Sequence, residues 1–518
     1  METGMGIRLG DIISLIIYFL ITVWIGYLCA RRLKTTEGYF VGGRNVPSWA
    51  VGISMVGTAV SSVTFLAYPG AAYEGDWRML VPGLTIPIAA AVAIFFFVPY
   101  YRRIRLVSAY EYLELRFGSW ARVYGCIVWA LTQLFRMGLI LFLVSIAVNA
   151  LTGLDTYLLI FILGLFILLY TAFGGLEAVI WTDVMQTLVL LMGGFFCIAA
   201  VYFDAPAAAA GLLSDAWEGG KFSLTVTWDF DFTRDTIWVL LLYGLTQNLQ
   251  EFSSDQTKIQ RYLAASSDRG AKNAVWVGGI GCVPVWTLFM FVGTCLWIFY
   301  LQNPNLLPDD ILPDQVFPHF ILTQLPEGVG GFVLAAVMAA AMSSIDSSLN
   351  GSATVLTSDL YRRFFVRGKS DTHYFQIARL ITGVCGALMI GASWLIWWII
   401  QNDVVQQDTI LDLAFFFYAV LAGGLAGLFF LGFFTTRSNS IGALTGIVLA
   451  VAVTLYLTFS NVELLPEGMR SNFHRLMIGA LSNVTAFAIG YLVSCLFTAP
   501  TREQLANLTI WTRRESQS

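Results

Sequence analysis

The sequence predicts an all-α protein that crosses a membrane many times. It has 518 residues, of which 57% are hydrophobic and only 12% are charged. Soluble domains carry roughly 25% charged residues, so this chain has about half the usual charge. Its mean hydropathy is +0.73. Because a soluble fold could not bury so much apolar surface, we expect the lipid bilayer to be its solvent.

Thirteen apolar segments are predicted to span the bilayer, which takes about 20 residues in a helix. The gaps between them are too short for a separate soluble domain, so we expect one membrane domain. The segments lie near 11–30, 47–71, 80–101, 123–150, 154–174, 176–203, 236–251, 273–301, 330–357, 376–400, 409–434, 440–460 and 474–498.

The basic residues predict the orientation of these spans. One alternate set of loops, which includes Lys258 and Arg261, holds 22 of the 29 Lys and Arg residues, and the opposite set holds six. The positive-inside rule then places the N-terminus outside and the C-terminus in the cytoplasm of an inner or plasma membrane. The remaining basic residue, Arg136, falls well inside the fourth span.

Two spans are predicted to be interrupted. The second contains seven Gly, Ser and Thr residues between Gly52 and Thr64, and the seventh runs into the polar stretch 246–255. Interrupted helices at matching places in two halves indicate the midplane site of a transporter, with spans 2–6 and 7–11 as inverted repeats. The alternative is that the small residues only allow close helix packing.

The ninth span carries a row of oxygen-bearing side chains. Ala340, Ser343, Ser344 and Ser347 fall on one helical face, with Asp346 one step round. Hydroxyl, carbonyl and carboxylate oxygens suit a hard cation such as Na+. The alternative is a packing seam whose hydroxyls bond back to the previous turn, and the aspartate argues against it.

Three ionisable residues, Arg136, Asp183 and Asp346, fall inside predicted spans. Each such group costs free energy in a bilayer, so its presence indicates a function, although a purely structural pairing is the alternative. The sequence contains neither a nucleotide-binding GxxxxGK[ST] nor the hydrolase motifs HExxH and GxSxG. An enzyme is therefore not expected, and the net charge of −4 argues against a nucleic-acid partner.

Five motifs carry a family resemblance: YFVGGRNVP (39–47), SAYEYLELRFG (108–118), TAFGGLEAVIWTDVMQ (171–186), DQTKIQRY (255–262) and AAAMSSIDSSLNGS (339–352). In these motifs the chain resembles the sodium:solute symporter family, and within it the bacterial sialic acid transporters. The resemblance implies a leucine-transporter-like fold of two inverted five-helix repeats.

The same resemblance implies a division of the chain. An extra N-terminal helix would occupy 1–35 and the transport core 36–435, with repeats at about 47–203 and 236–434. Further C-terminal helices would occupy 436–498, followed by a cytoplasmic tail at 499–518.

The resemblance also implies two sodium sites. The first would use the carbonyls of Gly57, Val60 and Ala340 with the hydroxyls of Ser343 and Ser344. The second would use Asp183, Ser343, Asp346 and Ser347, and here the chain departs from the family pattern, which has serine in place of Asp346. With two carboxylates, a second sodium, a proton or a structural pair all remain open.

Substrate recognition is implied at Arg136, which matches the arginine that binds the substrate carboxylate in the sialic acid transporters. Ala59 and Gly83 stand where that group has a threonine and a glutamine, so the pocket is expected to be less polar or larger there. Other hydrogen-bonding candidates are Ser61, Thr64, Gln133 and Gln247.

The sequence thus predicts a sodium-coupled symporter that imports a small polar solute by alternating access. The leading substrate is an organic anion such as a sialic acid or another carboxylated sugar. The alternatives are a neutral sugar or polyol, and a sensor or channel that keeps the fold without coupled transport.

Overall fold

The computed structural model describes residues 8–104, 106–204, 213–224, 227–308, 311–402, 423–461 and 465–512. Within these ranges nine helices are long and apolar enough to cross a membrane, and one bent helix pair forms a tenth candidate span. The nine are Leu9–Arg32, Arg78–Ile104, Ser119–Asn149, Thr156–Phe203, Asp268–Gln302, Val329–Phe365, Asp371–Gln401, Ser440–Asn461 and Met477–Cys495.

The α-helices are numbered here in chain order. They are α1 Leu9–Arg32, α2 Thr36–Val41, α3 Ser48–Ala59, α4 Ser62–Glu74, α5 Ile86–Val92, α6 Val98–Ile104, α7 Tyr110–Phe117, α8 Ser119–Thr152, α9 Thr156–Asp204, α10 Ile237–Ser254, α11 Gln256–Ala264, α12 Asp268–Gln302, α13 Pro313–Thr323, α14 Val329–Val355, α15 Asp371–Gln401, α16 Leu425–Phe434, α17 Ser440–Asn461 and α18 Met477–Cys495.

The number of spans differs in detail from the thirteen predicted. The segments 154–174 and 176–203 form one helical run, α9, whose direction changes at Gly175, where φ is +62° and ψ is −166°. Only α16 represents the span near 409–434, because residues 403–422 lie outside the described part of the chain. A total of thirteen therefore stays a prediction.

Both predicted helix interruptions are confirmed. Between α3 and α4, Val60 and Ser61 have extended backbones with φ near −100°, and the flanking segments are bent by 56°. Between α10 and α11, Asp255 is the single non-helical residue, with φ −82° and ψ 118°. Each break frees backbone groups that cannot be left unpaired inside a membrane.

Tyrosine hydroxyls satisfy two of the carbonyls freed at the second break. The Tyr101 hydroxyl donates to the Ser253 carbonyl at 2.8 Å, and the Tyr110 hydroxyl donates to the Ser254 carbonyl at 3.0 Å. The break is thus held by side chains from α6 and α7. The break is stabilised by the fold, because two of its carbonyls have specific hydrogen-bond partners.

Helix packing divides the core into two groups. The interrupted helices α3 and α4 pack along α12, and α10 packs on α5. In the second group, α14 packs on α8 and α9, and α15 packs on the same two helices. The candidate site lies where α3 and α11 meet α9 and α14.

Candidate functional site

The first broken helix meets the serine-bearing face of α14. The Ser343 Oγ lies 3.0 Å from the Gly57 carbonyl and 3.2 Å from the Ala340 carbonyl. The Ser344 Oγ lies 3.4 Å from the Thr58 carbonyl and 3.5 Å from the Ala340 carbonyl. Four of the five oxygen donors predicted for a first sodium are thus brought together from two helices.

The fifth predicted donor, Val60, is buried at the start of the break directly after α3. The Thr58 carbonyl was not predicted, although it contacts Ser344. It is a main-chain acceptor, so its side chain gives no signal in the sequence. Carbonyl and hydroxyl oxygens at such distances form the type of donor set that hard cations prefer.

Gly57 allows this close approach because it has no side chain. A Cβ atom there would lie 2.5 Å from the Thr187 Oγ1 and 3.3 Å from the Asp183 carbonyl, both on α9. A contact at 2.5 Å is far inside van der Waals distance, so a larger residue would push α3 away from α9. The position of the Gly57 carbonyl therefore depends on glycine.

A buried ion pair between α11 and α9 lies close to α14, about one helical turn beyond the serines that contact the first broken helix. The Arg261 Nη2 donates to the Asp183 Oδ2 at 2.7 Å, and both side chains are fully buried. The same nitrogen also donates to the Ser347 Oγ, and the Ser54 Oγ donates to the Asp183 carboxylate at 2.5 Å. Residues of α3, α9, α11 and α14 are therefore joined at one point.

This arrangement corrects the assignment of the basic residues. Arg136 is not the one cation placed deep in the membrane domain, because Arg261 is fully buried and Lys258 is 3% exposed. The Lys258 Nζ donates to the Met55 carbonyl at 3.2 Å. Helix α11 is too polar to be recognised as a span, yet it is enclosed by other helices instead of lipid.

Asp346 lies beside this ion pair with different partners. The Tyr170 hydroxyl donates to its Oδ2 at 2.8 Å, and the Thr182 Oγ1 lies 3.5 Å from the same atom. The Ser347 Oγ lies 3.2 Å from its other oxygen. Tyr170 was missed from the sequence because its neighbours 154–174 form an otherwise continuous apolar segment.

The charges of the cluster formed by Asp183, Asp346 and Arg261 do not balance. Asp183 and Asp346 are fully buried, and Arg261 is the cation that contacts the cluster within the described residues. The Asp183 Oδ1 is also buried, with no hydrogen-bond partner among those residues. A buried carboxylate needs a counter-charge or a proton, so the cluster has the chemistry to take up one further monovalent cation or proton.

The predicted substrate residues are spread over three helices and the first helix break. Arg136 is half-buried in α8, Ser61 is buried at the first break, and Thr64 is buried in α4. Gln247 is exposed on α10. Gln133, buried in α8, uses its amide in contacts with other helices: its Nε2 donates to Asp255 at 3.2 Å and its Oε1 accepts from Ser348 at 2.8 Å.

The space beside Gly83 is filled, so the pocket is not enlarged at that position, which was one of the two expectations from the sequence. A Cβ atom on Gly83 would lie 2.5 Å from the Trp286 ring. The indole of α12 therefore covers this glycine closely. Its Nε1 is buried and has no hydrogen-bond partner within the described residues.

Comparison with known proteins relates the whole chain to transporters. The sequence profile of the sodium:solute symporter family matches residues 39–450. The sodium/sialic acid symporter SiaT of Proteus mirabilis is 31% identical over 489 residues, which are 94% of this chain and 95% of that protein. The sodium/sialic acid symporter NanT of Aliivibrio fischeri is 32% identical over 488 residues, covering 94% and 93% of the two chains.

Solved structures give the same relationship. The substrate-bound outward-open structure of a Na+-coupled sialic acid symporter superposes with a TM-score of 0.86 and 29% identity, covering 95% of this chain and 99% of that one. Mhp1, a transporter of the nucleobase-cation-symport-1 family, shares the fold with a TM-score of 0.57 and 14% identity, covering 90% of this chain and 97% of that one. The fold is therefore leucine-transporter-like, with two inverted five-helix repeats.

Proposed function

This chain belongs to the sodium:solute symporter family, and on that premise we propose that it imports a sialic acid, or another carboxylated sugar, together with sodium. It is a multi-pass membrane protein and a secondary transporter, not an enzyme. The observation that carries the coupling is the contact of Ser343 with the Gly57 carbonyl, because it joins a broken helix to the serine face of α14.

Sodium is proposed to bind at two places. The first uses the carbonyls of Gly57, Val60 and Ala340 and the hydroxyls of Ser343 and Ser344. Ions at such a place couple transport to the gradient when binding favours the state that also binds the solute.

The second sodium is proposed to bind among Asp183, Ser343, Asp346 and Ser347. Support comes from the surplus carboxylate beside the Arg261 pair and from the Asp183 Oδ1, which has no hydrogen-bond partner within the described part of the chain. A proton on one of the two carboxylates and a purely structural pair are the competing explanations, since neighbouring like charges oppose full ionisation.

Arg136 is proposed to bind the carboxylate of the solute, with Ser61, Thr64, Gln133 and Gln247 as hydrogen-bonding candidates. The planar guanidinium matches a carboxylate with two parallel hydrogen bonds. The organic anion is favoured by the identity of 31–32% with sodium/sialic acid symporters over nearly the whole chain.

The topology and divisions are part of the same proposal. The N-terminus would lie outside and the C-terminus in the cytoplasm, with an extra helix in 1–35, the transport core in 36–435, further helices in 436–498 and a tail from 499. The bias of Lys and Arg towards one set of loops supports this orientation.

The test is uptake into proteoliposomes that contain the purified protein. Radiolabelled N-acetylneuraminic acid should accumulate under an inward sodium gradient and fail to accumulate when choline replaces sodium at fixed pH. A panel of carboxylated and neutral sugars, scored by thermal stabilisation with and without sodium, then ranks the solutes. Equal uptake in the two media would refute the sodium coupling.

A further inference from the structure

Asp255 is the residue at which the second broken helix changes direction. Its Oδ1 accepts from the Thr257 backbone amide at 2.7 Å and so caps the start of α11. Its Oδ2 accepts from the Gln133 Nε2 at 3.2 Å and from the Trp129 Nε1 at 3.3 Å. One carboxylate therefore starts α11 and ties it to α8.

The link continues from α8 to α14. The Gln133 Oε1 accepts from the Ser348 Oγ at 2.8 Å, and Ser348 lies four residues after Ser344 on α14. We name the set Asp255, Gln133, Ser348 and Trp129 the α11 latch. It lies one helical turn from the serines that contact the first broken helix, towards the C-terminal end of α14.

Close packing accompanies these hydrogen bonds. A Cβ atom on Gly351 would lie 2.7 Å from the Trp129 Cη2 and 3.5 Å from the Thr257 Cγ2. Helix α14 therefore presses on both the indole of α8 and the first turn of α11. A path for solute or water between these three helices is closed while the contacts hold.

The latch joins two groups of helices that have to move apart during transport. Helices α8 and α14 pack with α9 and α15, whereas α11 continues the interrupted helix that packs on α5. Alternating access opens one side of a central site by moving one helix group against the other. A contact between the groups on one side of the site must break when that side opens.

We propose that Asp255 is a positioning residue of the transport cycle: through Gln133, Ser348 and Trp129 it holds α11 closed against α8 and α14, and the cycle breaks this latch to release solute. The proposal rests on the proposed function, which makes this side the cytoplasmic exit. Asp255 makes no salt bridge with a described residue, so the latch consists of hydrogen bonds that a moving helix can break and remake.

Hydrogen–deuterium exchange of purified protein tests the latch without any solute. Gln133→Leu and Asp255→Ala should each speed amide exchange of α11 in sodium by about tenfold, the scale expected for one lost hydrogen bond to a charged group. Asp255→Asn keeps an oxygen acceptor and should restore slow exchange in part. The readout is the exchange of 256–264 relative to α17, which is distant in sequence and lies outside both groups.

Ser254→Ala is the matched control. Ser254 lies next to Asp255 in the last turn of α10, and its hydroxyl donates to the Gln250 carbonyl of the same helix at 2.9 Å. The variant removes a hydrogen bond beside the break that does not reach α8, α11 or α14, so it should leave exchange of α11 close to that of the unmodified protein. Unchanged exchange in folded Gln133→Leu and Asp255→Ala, or equal acceleration by Ser254→Ala, would overturn the latch.

The outcome is separable from the transport assay. A protein that shows the expected exchange changes but no sodium-dependent uptake would keep the latch and lose the proposed function. Sodium-dependent uptake with no exchange difference would support the proposed function and refute the latch. In Asp255→Ala, which alters no proposed solute ligand, maximal uptake rate should change more than the half-saturating solute concentration, because the affected step is opening instead of binding.

Discussion

The Arg261 guanidinium lies 2.7 Å from the Asp183 carboxylate, and neither side chain is exposed. Its Nη2 also contacts Ser347. A permanent cation therefore contacts two of the four residues proposed for a second sodium. Since it balances one of the two carboxylates, the charge that remains to be neutralised is that of a single aspartate, Asp346 or Asp183.

Removal of this guanidinium should strongly destabilise the protein. Arg261→Gln leaves two buried carboxylates without their cation, which costs about 3–5 kcal/mol for a broken buried pair. The double variant Arg261→Gln with Asp183→Asn should recover much of that loss. Thermal unfolding in detergent provides the measurement. Arg234→Gln, which removes an exposed partner of Asp229, should change stability by less than about 1 kcal/mol.

Loss of the Ser343 hydroxyl should weaken sodium binding. Ser343→Ala removes an oxygen that lies 3.0 Å from the Gly57 carbonyl, and we expect the half-saturating sodium concentration for uptake to rise about tenfold, a change of about 1.4 kcal/mol. Ser352→Ala is the control, because this buried serine of the same helix has no hydrogen-bond partner within the described residues. Equal effects of the two variants would contradict a ligand role for Ser343.

Asp346 stands where the family resemblance implies a serine. Asp346→Ser should preserve transport and change its sodium dependence, because it removes the surplus carboxylate and leaves the pair of Asp183 with Arg261. Tyr170→Phe, which removes the donor 2.8 Å from Asp346, should shift the sodium curve in the same assay. If Asp346→Ser alters only the pH dependence of uptake, the carboxylate binds a proton. If Asp346→Ser fails to fold, the carboxylate is structural.

Glu111, in the short helix α7 outside the candidate spans, should make stability depend on pH. Burial and the nearby Asp359 carboxylate raise its pKa from 4.5 to about 7, although Arg122 opposes the shift. The folded protein then retains a proton that the unfolded chain has lost, so stability falls as pH rises from 4.5 to about 7. Glu111→Gln should flatten this part of a thermal unfolding series.

Glu114 provides the control for that series, because its pKa is shifted in the opposite direction. Burial tends to raise its pKa, but hydrogen bonds from Arg363 and Arg122 hold it below the usual value. Its charged form therefore stabilises the folded protein, and Glu114→Gln should lower stability at neutral pH. Parallel shifts in the two variants would contradict the assignment of Glu111 as the group that retains a proton.

The two helix breaks and the serine face could be predicted because their signals are local. Gly57 to Thr64 is too polar for a lipid-facing helix, and Ala340, Ser343 and Ser344 are spaced by the helical period. The closeness of α14 to the first break followed from the family resemblance. The structure adds the hydrogen bonds that join the two elements.

Arg261 and Trp286 could not be placed from sequence because their surroundings are tertiary. Hydropathy recognises segments that face lipid, and α11 is a polar helix enclosed by protein, so its cations resemble those of a loop. The absence of a side chain at Gly83 predicted a less polar or larger pocket, and the Trp286 ring of α12 fills the space beside this glycine. Such compensation depends on a contact between residues about 200 positions apart, for which a single sequence carries no signal.

Arg136 should determine affinity for an anionic solute without affecting sodium. It lies in α8 about 17 residues from the start of the helix, which at about 1.5 Å per residue puts it deep in a bilayer core about 30 Å thick. Because a lysine cannot reproduce the planar fork that holds a carboxylate by two bonds, Arg136→Lys should weaken solute binding and Arg136→Ala should nearly abolish it. Thermal stabilisation by sodium alone serves as the control and should persist in both, since the proposed sodium ligands lie on α3, at the break that follows it, and on α9 and α14. If Arg136→Ala still transports, and a neutral sugar stabilises it as well as the unmodified protein, the arginine is structural and the solute is uncharged.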